Sequence, residues 1–177
     1  MIPDSGMKHL FVVTLAFLMS LLPCSSCGAA AAKDTLIYCS YAKDGAAGLG
    51  LDYCELVADP GSTPKVVVVL DKNNRFQKPV TQKEFEVSEE DVARLAAALD
   101  EIKVRRLDGY HYVEPITGGY EYRIHVEYAS GKNVSASWYG SKVKDSAIQA
   151  YNTIWHFFDP WVAKVRSEEV APVAADS

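Results

Sequence analysis

The residue types that could do chemistry gather between Tyr120 and Tyr139. Tyr120, Tyr122, Ile124, Val126 and Tyr128 alternate with Glu121, Arg123, His125 and Glu127, the period-two signature of a half-buried strand. Ser130-Gly131-Lys132 is a turn, and the chain returns through Val134, Ala136 and Trp138 with Ser135, Ser137 and Tyr139 between them. A register that sets Val126 against Ala136 and Ile124 against Trp138 keeps one face wholly apolar. It places His125 opposite Ser137, Arg123 opposite Tyr139, and Glu127 opposite Ser135. A serine, a histidine and carboxylates on one face are the raw material of nucleophilic catalysis. An open strand face supplies neither an oxyanion hole nor a pocket, however, and alternation puts some polar set on any solvated sheet face. No catalytic residue is therefore assigned. If that face works, it does so as a ligand contact through Arg123, His125, Glu127, Ser137 and Tyr139.

Tyr110 and Tyr112, with Tyr120, flank the loop Glu114-Pro115-Ile116-Thr117-Gly118-Gly119. Tyrosine gives a large contact area at low entropy cost, so this loop is a second candidate recognition surface. Other motifs fail on their context. Ser40–Lys43 and Ser141–Lys144 match the Ser-x-x-Lys of penicillin-recognising enzymes but lack the partner motifs and the larger scaffold. His111, His125 and His156 show no metal-ligand spacing, so no metal is expected. Gly45-Ala-Ala-Gly48-Leu-Gly50 sits between strands without phosphate-cradling spacing, and no cofactor is expected.

The address is clearer than the chemistry. Met7-Lys8-His9, an apolar run from Leu10 to Leu22, and a small-residue exit read as a secretory signal peptide whose translation starts at Met7. Cys27, preceded by Ser25-Ser26, resembles a bacterial lipobox cysteine; Cys24 is the weaker acceptor. Ordinary cleavage within Ala29–Ala32 is the alternative. Lipidation at Cys27 would hold the domain to a membrane through acyl chains alone. Segment 1–32 is thus signal and spacer, 33–166 one domain, and 167–177 a disordered acidic tail. A net charge of −5 without a basic patch argues against nucleic acid.

In an oxidising compartment, Cys39 and Cys54 are expected to pair. Thr35–Tyr41 and Asp52–Ala58 read as a hairpin that sets Cys39 opposite Cys54 and Ile37 opposite Leu56. Lys65–Leu70 is a β-branched central strand, and Glu84–Val87 is a short one. Ser88 with Asp91 caps a helix carrying Val92, Leu95, Leu99 and Ile102. A closing helix from Asp145 to Phe158 carries Ile148, Tyr151, Trp155 and Phe158 on one side, and Asp159-Pro160 ends or kinks it.

Together these elements predict an α+β fold: a single antiparallel sheet of five to six strands with two amphipathic helices packed on one face. A strand hairpin, a Ser-capped helix, a Tyr-rich hairpin and a closing helix behind a lipobox-like signal resemble small uncharacterised domains of bacterial secreted proteins and lipoproteins. That resemblance implies an exported envelope domain and lends no functional residue. Three functions are compatible with it: a non-catalytic module that binds a protein or glycan or serves structurally, a proteinaceous enzyme inhibitor or immunity-type partner, and a small hydrolase using the His125/Ser137 face.

Overall fold

Period-two alternation builds most of the domain. A computed structural model describes residues 34–45, 51–71, 80–116 and 118–170. The export segment with Cys24 and Cys27, the glycine-rich stretch 46–50 and the tail beyond 170 lie outside the described residues. Strands β1 (Leu36–Gly45), β2 (Leu51–Val57), β3 (Lys65–Asp71) and β4 (Thr81–Glu86) form an antiparallel meander. Its β2–β3 turn closes where the Ser62 N–H and hydroxyl both donate to the Asp59 carbonyl, at 3.1 and 2.9 Å. Helix α1 (Glu89–Glu101) follows, then a single 3-10 turn at Val104–Leu107, β5 (His111–Val113), β6 (Tyr120–Tyr128), β7 (Asn133–Tyr139) and helix α2 (Asp145–Val170).

The fold is α+β, with one mixed seven-stranded sheet in the order β4-β3-β2-β1-β6-β7-β5. The strand missing from the sequence reading is β5, which lies parallel to β7. Three residues, His-Tyr-Val, are too short for a periodicity signal. The chain crosses from edge strand β4 to edge strand β5 by way of α1.

One face of the sheet is the core. Cys54, Leu56, Val66, Val68, Leu70, Ile124 and Val126 are buried there against both helices. Helix α1 forms as its sequence dictates: Ser88 accepts from the Asp91 N–H at 3.1 Å and donates to its carboxylate at 2.6 Å, and Val92, Leu95 and Leu99 are buried. Helix α2 departs from the expectation. It runs 26 residues through Pro160, so residues 167–170, expected in the tail, are helical. Pro160 removes one backbone donor, but Val162 and Val165 beyond it are fully packed, and their burial offsets that loss. Phe158 is buried as expected, but the rest of the buried stripe is Ala147, Ala150 and Ile154, one position before Ile148, Tyr151 and Trp155, and Ile148 stays 42% exposed. The small alanines let the helix approach the sheet closely, so the bulky side chains flank the contact.

Both hairpins are shifted two residues from the registers expected. Tyr41 faces Cys54 and Cys39 faces Leu56 in β1–β2. Tyr122 faces Trp138, Ile124 faces Ala136, and Val126 faces Val134 in β6–β7. A two-residue slip keeps every side chain on its own face, so alternation cannot tell the registers apart. Packing does. Tyr41 lies against the small Cys54 and reaches Phe158 and Tyr151, at ring separations of 5.6 and 5.7 Å. Tyr122 stacks on Trp138 at 5.8 Å. Gly131, at φ 81°, donates to the Tyr128 carbonyl at 2.9 Å and closes the turn.

The first shift removes the expected disulfide. Cys39 and Cys54 are both free and buried, sitting diagonally across the ladder instead of face to face. Diagonal neighbours lie about 7–8 Å apart, beyond bridging distance. Burial pushes both thiols up, Cys54 to about 12. The Cys54 thiol donates to the Tyr41 hydroxyl at 3.7 Å.

Candidate binding face

The other face of the sheet carries no described helix, and alternation decides what it presents. Tyr38, Ser40 and Ala42 of β1 lie beside Glu127, His125 and Arg123 of β6. Those in turn lie beside Asn133, Ser135 and Ser137 of β7. On the far side, β2 contributes Leu51, Tyr53, Glu55 and Val57, and β3 contributes Lys65, Val67 and Val69. Small side chains on β1 and β7 leave the centre low. The result is a depression of about 460 Å³ lined by Ser40, Ala42, Tyr53, Arg123, Ser135 and Ser137, among others.

Three local networks fix the side chains of this face. Tyr38 and Tyr53 both donate to one Glu55 oxygen, at 2.8 and 2.5 Å, and their hydroxyls lie 2.8 Å apart. Burial raises both phenols above their ordinary range; for Tyr53 the Glu55 hydrogen bond adds to the effect. His125 bonds its own-strand neighbour Glu127 at 2.7 Å and meets the Tyr38 ring edge-on at 5.8 Å. Arg123 lies 3.7 Å from Asp44 and 3.8 Å from Glu121.

The expected cross-strand pairs change accordingly. His125 faces Ser135, Arg123 faces Ser137, and Tyr139 faces Glu121. Ser137 instead pairs with His111 of β5, whose Nδ1 lies 2.8 Å from the serine hydroxyl. That contact was invisible in the sequence because it depends on the short parallel strand. No carboxylate is hydrogen-bonded to His111 among the described residues, and the serine sits mid-strand, away from any helix N-terminus. Among the described residues the pair therefore has no acid to orient its imidazole, as a hydrolytic triad requires. No family model matches the chain, and no curated protein matches its sequence.

The tyrosine loop resolves into packing. The Tyr110 hydroxyl accepts from the Lys144 N–H at 3.3 Å, and its ring lies under the Lys144 ammonium and beside Trp138. Tyr112 faces the helices and packs against the core. Tyr139 donates to the Gly118 carbonyl at 2.7 Å and so pins the β5–β6 connection. Glu114 accepts from the Ser141 N–H at 2.8 Å, which holds its carboxyl below the usual range. Of the residues singled out from sequence, Arg123, His125, Glu127, Ser137 and Tyr139 share the open face; Tyr110 and Tyr112 do not. Among the described residues no group of three or more His, Cys, Asp or Glu side chains is placed to hold a metal ion, and no helix is long and apolar enough to cross a membrane.

Proposed function

We propose that this chain is an exported cell-envelope protein, anchored by lipid at Cys27, whose folded domain is a non-catalytic binding module working through the open sheet face. The observation that carries the reading is the depression between β1, β2, β6 and β7, floored by Ser40, Ala42, Ser135 and Ser137 and ringed by fixed polar and aromatic groups. Side chains held by hydrogen bonds before a partner arrives lose little entropy on binding. A hydrolase reading is weaker, because no carboxylate orients His111 beside Ser137 among the described residues.

The export part is tested by labelling cells with a fatty-acid probe: the chain should label, and Cys27→Ala should abolish the label. The binding part is tested by retention from envelope extract on the purified protein. Ser135→Arg, which fills the depression from an exposed position, should lose the retained species. An unchanged retained set would refute the site.

A further inference from the structure

We propose that the partner of this open face is a basic polypeptide segment that lays apolar side chains along β2 and β3 and sets its cations among the surrounding carboxylates. The inference rests on the binding reading above and specifies what is bound.

Charge is segregated in this domain. Outward positions carry seven carboxylates, Asp44, Glu55, Asp71, Glu84, Glu86, Glu121 and Glu127, against two fixed cations, Lys65 and Arg123. Both cations are already engaged, Lys65 with Glu84 at 3.7 Å and Arg123 with Asp44 and Glu121. Glu55 and Glu86 have no cationic side chain within ion-pair distance among the described residues. The helical side differs. Acids and bases alternate there in pairs such as Arg105–Asp34, Lys142–Glu114, Lys83–Glu168 and Arg166–Asp52. The negative field therefore emerges through the open face, where it would steer a cationic partner and repel an anionic one.

An independent observation points to a polypeptide. Strand β3 is apolar on both faces: Val66, Val68 and Leu70 enter the core while Val67 and Val69 face outward. With Leu51 and Val57 of β2, half-buried like Val69, they make an apolar strip on the side that carries no described helix, with Val67 the deepest of the four at 9% exposed. A strand apolar on both sides is the pattern of a strand covered on both sides. An apolar centre rimmed by charge is the anatomy of a protein interface. The seven strands span about 34 Å across and about 23 Å along, on the scale of the about 800 Å² that each partner gives a stable complex.

The test follows amide shifts in NMR spectra of the purified exported chain with three probes: an alternating lysine–valine peptide, its glutamate–valine counterpart, and chitohexaose. The lysine–valine peptide should shift residues of Leu51–Val57 and Lys65–Val69 and leave α1 and α2 unmoved. Glu84→Lys with Glu86→Lys, both exposed, should weaken that binding at least tenfold. Equal shifts with the glutamate–valine peptide, shifts spread over the helices, or indifference to the double reversal would overturn the proposal. Shifts with chitohexaose and none with the lysine–valine peptide would also overturn the partner class while leaving the binding face standing. Silence from all three probes, with retention from extract unaffected by Ser135→Arg, would remove the binding reading itself.

Discussion

The two faces of one sheet obey different rules. On the inner face the strands pack against the two helices and the 3-10 turn, and the identities are set by volume: Tyr41 fits because Cys54 is small, and α2 approaches because Ala147 and Ala150 are small. On the outer face the side chains are tied to one another instead, as in the Tyr38–Tyr53–Glu55 cluster and the His111–Ser137 pair. Those ties give little to stability and a defined shape to the surface. The fold therefore resides on one side, and whatever the protein recognises is free to be written on the other.

The largest expected break in this comparison comes from the inner face. Phe158→Ala empties a fully buried site against Tyr41 and should cost about 3–5 kcal/mol, read from the denaturant midpoint. Next is Gly140, where an added Cβ would sit 2.4 Å from the Glu114 Cβ at a φ of 115°. Gly140→Ala should lose about 1–3 kcal/mol, and Glu114→Gly in the same chain, which removes that Cβ, should return part of it. On the outer face, Tyr53→Phe removes one donor to Glu55 and should cost about 1 kcal/mol. Ser137→Ala and His111→Ala should each stay within about 0.5 kcal/mol. A large loss from either would show that the outer face also holds the fold.

Alkaline pH sharpens the same contrast. Cys39, Cys54, Tyr41 and Tyr151 on the inner face, and Tyr53 on the outer, all ionise at higher pH folded than unfolded, chiefly because burial penalises the charged form. Their neutral forms stabilise the fold in full below the unfolded values of 9.0 and 10.0, and that contribution drains away as pH rises beyond them. Stability should thus fall from about pH 9 upward. Reductant should leave it unchanged, whereas a Cys39–Cys54 bond would be worth about 3 kcal/mol and its reduction would show.

Most elements were legible because each has its own period: the alternation of β6, the Val run of β3, and the Ser88 cap of α1. What was not legible depends on contacts between distant residues. Both hairpin registers slipped by two because face-preserving shifts look identical in a single strand, and the fit of Tyr41 to Cys54 decides between them. The length of α2 was hidden by Pro160, a local stop overruled by the packing of Val162 and Val165. The open face was foreseen as a polar set, but its pairings were not. His111 reaches Ser137 through a three-residue strand, and Glu55 gathers Tyr53 from its own strand and Tyr38 from the neighbouring one. Nothing in the sequence singled out Glu55, although its outward parity beside Tyr53 was there to be read.

A binding role for the open face is tested most directly by one paired measurement, unfolding and partner retention compared in wild type and Ser135→Arg. It predicts an unfolding midpoint unchanged within about 0.5 kcal/mol and loss of the species retained from envelope extract. Retention of the same species by the stably folded variant would contradict it.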